Sequence, residues 1–249
     1  MLVSLVYSTM TKLLIFDYDN TLATPMSIPT NDILYEITRL LAKNYIAVMS
    51  GRTLKQLNHL FIKNIPTSNI DILKNLFICP SYGNLIYNSN IDKHNLMYKA
   101  EKMTEKDVNF IYNTIEMLDG IEERVIKERE GYIVMDCLGN SVSNEKRKIW
   151  DPDGTKRLEI VNRLDTVFKG RFNLFIAGRA TIDIVAKGRS KADNTVRLAR
   201  MLDIPLKNVI FTGDEFYKYG NDYPILSLKE IQVNIVKNPK ETLRVMKKM

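Results

Sequence analysis

Only two cysteines, two histidines and one tryptophan occur among the 249 residues of this chain. Cys79 and Cys137 each lie inside an apolar stretch. That fits a reducing compartment and leaves no disulfide framework and no cysteine-built zinc site. His59 and His94 stand in polar stretches without metal-ligand spacing and read as surface residues. No run approaches the roughly 18 apolar residues that a membrane-spanning helix needs. The opening stretch from Met1 to Met10 is apolar but lacks a basic n-region, so it makes a poor signal peptide. Residues 1–9 read as an extra strand or a frayed extension, with Met10 as an alternative start, and a cytoplasmic location is expected. There is no internal repeat and no low-complexity linker.

What is present is a core and an excess of positive charge. Apolar residues make up 45% of the chain, enough for one large domain or two smaller ones. The net charge of +7 points to an anionic partner. Lysine and arginine are nevertheless spread along the whole length, and the one dense cluster, Glu145-Lys146-Arg147-Lys148, is short. A basic surface around a small phosphorylated substrate fits this distribution better than a nucleic-acid patch does.

Residues 13–22 read LLIFDYDNTL, four apolar residues that stop at two aspartates one residue apart. The pattern predicts a buried parallel strand that delivers carboxylates at its C-terminal tip. Asp17 and Asp19 repel each other, and burying both without compensation is costly, so a cation or a shared proton is expected there. An Asx-type turn after a strand is the competing reading.

Apolar spacing predicts a helix over 33–43, a strand over 46–49 ending at Ser50-Gly51-Arg52-Thr53, a helix over 54–62 and a strand over 76–79. The alternation implies an α/β fold, a Rossmann-like three-layer core with a parallel sheet, whose sites lie at the carboxyl ends of its strands. From about Asn88 the texture changes. A helix over 103–118, a strand over 131–137, a helix over 153–168 and a hairpin with arms at 172–176 and 181–185 suggest an inserted α+β domain. The α/β pattern resumes with a helix over 191–202, strands at 209–212 and near 231–236, and a helix from Lys240. The predicted division is a core of residues 1–87 and 187–249 and a cap of residues 88–186, with hinges near Tyr82-Gly83 and Ala186–Gly188.

Asp17 and Asp19, Ser50, Lys191, and Gly213-Asp214 with Asn221-Asp222 all fall at strand ends or helix starts of that core. Singly, each also reads as a cap, a turn or an exposed lysine. Together and in this order they resemble the haloacid dehalogenase-like phosphotransferases: DxDxT, a serine after the second strand, a lysine, then GDxxxxxxxD. The insert resembles the type-two cap of that superfamily. Residues 213–225, GDEFYKYGNDYPI, are similar to the GDKTxxGGNDxEI segment of eukaryotic-type phosphomannomutases, and residues 177–191 to their GGQxSxDxFPxGWDK segment.

The resemblance implies Asp17 as nucleophile, Asp19 as general acid and base, and Thr21 as the residue that fixes the turn. It implies Mg²⁺ held by Asp17, Asp214 and the backbone carbonyl of Asp19, with Asp222 as a supporting or direct carboxylate. Ser50 and Lys191 would bind the transferring phosphoryl group, with Gly51 and Arg52 beside it. Thr181 and Asp183 match positions that contact sugar hydroxyls. The cap arginine of the family's FRNGMLN motif falls at Met135–Asn140, where this chain has none, and the arginine expected soon after the first motif is absent, which leaves Arg147 and Arg179 as substitutes. Ser50-Gly51-Arg52-Thr53 is closer to the SGR(T/S) motif of sugar-phosphate phosphatases with this cap type. The expectation is therefore a Mg²⁺-dependent enzyme acting on a small sugar phosphate, a phosphomannomutase-like mutase or alternatively a phosphatase. A nucleic-acid phosphatase and a catalytically idle binding protein follow. The family also implies a homodimer through the cap.

Overall fold

The computed structural model describes residues 12–66, 70–90, 93–118, 124–139 and 141–249. The expectation for residues 1–9 lies outside them. Strand β1 (Leu13–Phe16) is followed by α1 (Asn31–Leu41), β2 (Tyr45–Met49), α2 (Leu54–Leu60) and β3 (Leu76–Cys79). A hairpin of β4 (Leu85–Asn90) and β5 (Lys93–Lys99) comes next. Then follow α3 (Glu105–Glu116), β6 (Val125–Arg129), β7 (Tyr132–Asp136), α4 (Asn144–Trp150), α5 (Thr155–Phe168), β8 (Phe172–Ala177) and β9 (Thr181–Ala186). The chain closes with α6 (Lys191–Met201), β10 (Val209–Gly213), β11 (Gln232–Ile235) and α7 (Pro239–Met246).

The main sheet has the order β11-β10-β1-β2-β3-β4-β5, parallel from β11 to β3 and antiparallel at β4 and β5. All four residues of β1 are buried because both faces of the strand are covered. Leu14, Phe16 and Tyr18 join α1, α2 and α7 in one apolar cluster, and Leu13 and Ile15 join α6 in another. This is the expected three-layer α/β core. Chain order runs outward from β1 in both directions, so the crevice between β1 and β10 is the topological switch point, where ligands of such sheets bind.

The second sheet is antiparallel in the order β6-β7-β9-β8. Alternation divides its residues between two faces. Ile133, Met135, Leu174, Ile176, Ile182 and Ile184 pack on α3 and α5, while Tyr132, Phe175 and Val185 face the main domain with Tyr82. The main sheet continues to Lys99, past the boundary expected near Asn88, and Tyr82-Gly83 lies inside this domain. The outgoing passage between sheets is therefore at residues 100–104, and the return passes Gly188, in the left-handed region at φ +74°.

Local signals account for the helix starts near the crevice. Thr53 and Gln56 form a capping box at α2, and Ser190 and Asp193 form one at α6. Thr53 thus does the capping that the cap reading gives to Ser50-Gly51. Among the described residues no helix is long and apolar enough to cross a membrane.

Candidate active site

Asp17 follows β1 on the side of the sheet covered by α6, whose first residue is Lys191. The Lys191 ammonium donates to Asp17 Oδ1 and to Asp222 Oδ1, each at 2.6 Å. Lys191 and Asp222 have no exposed surface, and Asp17 is almost as deeply buried. The second oxygen of Asp222 accepts the backbone N–H groups of Asp214 and Glu215, each at 3.1 Å, which fixes the loop after β10. Gly213 permits that approach, since a Cβ there would stand 2.3 Å from Asp222 Oδ2. Thr21, on the turn after the first aspartates, donates to Asp214 Oδ1 at 3.3 Å. It ties the two loops together as well as shaping its own turn.

Three carboxylates meet one ammonium here. Burial alone would push Lys191 down, but Asp17 and Asp222 outweigh it and hold the ammonium charged, with its pKa raised. For Asp17 the balance goes the other way. Desolvation, reinforced by Asp222, Asp214 and Asp19, exceeds the help from Lys191 and pushes the carboxyl well above its usual range. Asp214 is raised to about 6 by desolvation and then by Asp222, and Glu215 to about 7 by desolvation and then by Asp222 and Asp214. Carboxylate oxygens of Asp17, Asp214 and Asp222 lie within 4.8 Å of one another. Hard oxygen donors with unneutralised negative charge fit Mg²⁺. Asp17, Asp214 and Asp222 could together hold such an ion, although both oxygens of Asp222 also carry hydrogen bonds.

Asp19 forms a separate pair beside this cluster. Arg52 grips it with two bonds, Nε to Oδ2 at 2.9 Å and Nη2 to Oδ1 at 2.6 Å. Ser50 is buried next to β1, and its hydroxyl accepts the Arg52 N–H at 3.2 Å. The Gly51 carbonyl accepts the hydroxyl of Tyr132, which reaches in from the second sheet, at 3.2 Å.

A family model described as haloacid dehalogenase-like hydrolase matches residues 14–247. The chain belongs to this family. It is an enzyme of the haloacid dehalogenase superfamily. Phosphomannomutase 2 of Dictyostelium discoideum is 25% identical over 241 residues, covering 93% of this chain and 94% of the relative. The haloacid dehalogenase-like fold recurs in the IMP-nucleotidase of Plasmodium falciparum, with a TM-score of 0.69 at 18% identity, 97% of this chain and 68% of that one. It also recurs in a haloacid dehalogenase-like hydrolase of Bacteroides thetaiotaomicron, with a TM-score of 0.61 at 16% identity, 95% of this chain and 98% of that one.

Within this haloacid dehalogenase-like frame the expected core residues converge and several expected cap residues do not. Arg147 is bound to both oxygens of Asp136 at 3.0 Å and to two nearby carbonyls. Arg179 is exposed in the β8–β9 turn, and the Thr181 hydroxyl donates back to Ala177 across that turn. Asp183 is buried and accepts the hydroxyl of Tyr82. Three further residues escaped the sequence reading. Glu215 stands where the phosphomannomutase segment GDK has lysine, a charge reversal visible beside Asp214. Arg129 lies at the β6–β7 turn close enough to influence Asp183 and Tyr132. Arg129-Glu130-Gly131 carries the same Arg-x-Gly spacing as the FRNGMLN motif, six residues before Met135–Asn140. Asn140 lies outside the described residues. Arg157, buried on α5, binds Asp151 and the carbonyls of Ala177 and Gly178 and so braces the same turn.

Proposed function

We propose that the protein transfers phosphoryl groups of small sugar phosphates through an aspartyl-phosphate on Asp17, with Mg²⁺, as a phosphohexomutase of the phosphomannomutase type. The observation that carries the reading is Asp17 at the switch-point crevice, fixed by Lys191 beside Asp214. The Asp17 carboxylate attacks phosphorus, the ester P–O bond breaks, and Asp19 gives a proton to the departing sugar oxygen. The same Asp19 then takes the proton of the incoming hydroxyl as it displaces Asp17 from phosphorus. Lys191 and Ser50 hold the phosphoryl oxygens, and Asp222 orients Lys191 and the Asp214 loop. Asp17, Asp214 and the Asp19 carbonyl would hold Mg²⁺, which would supply charge to offset that of the phosphoryl oxygens.

A mutase must also hold the second phosphate of a hexose bisphosphate, and we assign that work to Arg129, the cap cation near Asp183 and Tyr132. The phosphatase reading draws on other residues. Arg147 is occupied by Asp136, Arg179 stands on an exposed turn, and Met26 lies on Arg52 near the missing arginine of the first motif. One assay separates the two: mannose 1-phosphate with a trace of hexose bisphosphate, following mannose 6-phosphate and free phosphate together. Mannose 6-phosphate is expected to form in excess; phosphate release without isomerisation rejects the mutase in favour of the phosphatase.

The metal reading makes its own prediction. Acids whose folded pKa is raised contribute stability below their unfolded values of about 4, and lose it as pH rises through the folded ones. For Asp214 and Glu215 the loss runs to about 6 and about 7. The metal-free protein is therefore expected to lose melting temperature between pH 5 and pH 8. Added Mg²⁺ should raise it more at pH 8 than at pH 5, because the ion needs ionised carboxylates. Equal Mg²⁺ shifts at the two pH values in thermal melts would contradict the assignment.

A further inference from the structure

We infer that Tyr82 and Asp183 form a latch between cap and core that shapes the Ser50–Thr53 loop, with Asp183 as a positioning residue. The inference deepens the phosphoryl-transfer reading and rests on it only for the use of that loop.

Tyr82 belongs to two domains at once. Its backbone is part of the core: Tyr82 N–H donates to the Ser50 carbonyl at 2.9 Å and Ser81 N–H to the Arg52 carbonyl at 3.1 Å. These bonds hold Ser81, Tyr82 and Gly83 in three successive left-handed conformations, with φ of +54°, +64° and +85°. Two of the three are not glycine, so the turn persists because the loop bonds and the side chain over-determine it. That side chain points away from the core, into the inner face of the second sheet. Its ring packs edge-on to Tyr132 at 5.2 Å between centroids and tilted against Phe175 at 5.7 Å. Its hydroxyl donates to Asp183 Oδ2.

The loop is moulded on this arrangement. A Cβ on Gly51 would stand 2.9 Å from the Tyr82 ring, so a glycine is what allows the loop to lie against it. From the cap side, Tyr132 donates to the Gly51 carbonyl. The loop that carries Ser50 and Arg52 is thus bonded through Tyr82 on one side and Tyr132 on the other.

Asp183 lies on the inner face of the second sheet, the face that meets the main domain. Its cross-strand neighbours are Val134 and Phe175, both apolar, and it is 5% exposed. Its Oδ1 is buried with no hydrogen-bond partner among the described residues. A half-satisfied buried carboxylate is costly; Arg129 is near enough to ease its charge, and the hydrogen bond from Tyr82 supplies the rest. Thr181, the other residue expected to meet a hydroxyl, is bonded within its own hairpin.

The test uses the full chain and two variants that keep shape. Tyr82→Phe removes only the hydroxyl, and Asp183→Asn only the charge. Amide hydrogen exchange is expected to quicken at least about tenfold over 50–53 and 81–83 in either variant, with β1 and α1 unchanged and the double variant no faster than the singles. Unchanged exchange in those segments overturns the latch. Kinetics supply the second readout, with p-nitrophenyl phosphate, which has no sugar, beside a hexose 6-phosphate. The latch lowers kcat/KM for both esters by a similar factor in both variants. A loss confined to the hexose phosphate in Asp183→Asn, with Tyr82→Phe unaffected, makes Asp183 a sugar ligand and overturns the inference. Absence of turnover by the unaltered protein on either ester bears on the phosphoryl-transfer reading alone, because exchange still decides the latch.

Discussion

Asp17→Asn is expected to lower turnover of every phosphate ester by at least about 10⁴-fold, the scale on which removal of a covalent nucleophile acts, while leaving the protein folded and no less stable without metal. The two halves of this result have different origins. Activity falls because an amide oxygen is a far poorer nucleophile than a carboxylate and cannot form the acyl-phosphate at a comparable rate. Stability holds because Asp17 is one of three carboxylates served by a single ammonium, and its burial already works against its charge. Lys191 keeps its 2.6 Å bond to Asp222 when Asp17 is neutralised. The asparagine retains the shape of the aspartate and a carbonyl oxygen for Lys191. The melting temperature of the metal-free variant should match or exceed that of the parent, and the upward shift produced by Mg²⁺ should shrink. Phosphate release and thermal melts with and without Mg²⁺ check both halves. Residual activity within about a hundredfold of the parent would place the nucleophile elsewhere.

That such a prediction can be made from one strand reflects how local the chemistry of the core is. Leu13–Phe16 is buried on both faces, so its apolar run is continuous and stops where the carboxylates begin. Ser50, Lys191 and Gly213-Asp214 each follow from a strand end or a helix start that apolar spacing reveals. The cap is less legible for a physical reason. Strand β6 reads Val-Ile-Lys-Glu-Arg, a half-exposed edge whose charges mask its alternation and hide Arg129 among them. The β4–β5 hairpin, with polar Asn-Ser-Asn and His-Asn stretches, also lacks a core signal, which put the domain boundary too early. Contacts made across the whole chain leave no local trace. Tyr82 and Asp183 stand 101 residues apart, and only the folded chain shows that the second is spoken for by the first.

Lys191→Met should cost about 3–5 kcal/mol of stability at pH 8, because it leaves Asp17 and Asp222 buried without their cation. The methionine fills the volume of the lysine stem, and the capping box of Ser190 and Asp193 still starts α6, so neither a cavity nor a lost cap accounts for the loss. What remains is uncompensated charge, and it can be relieved in three ways that a packing defect cannot. Acid relieves it by protonating Asp17, whose carboxyl is already pushed well above its usual range, so the difference from the parent should narrow towards pH 5. Mg²⁺ relieves it by supplying another cation, so the variant should gain more from the ion than the parent does. A second substitution, Asp17→Asn, relieves it by removing one of the charges. The double variant should regain a substantial part of the lost stability in chemical denaturation while remaining inactive, since both the nucleophile and the ammonium that binds the phosphoryl group are gone. Additive losses in the double variant would mean that Lys191 stabilises the fold through its stem, and that its pairing with Asp17 contributes little.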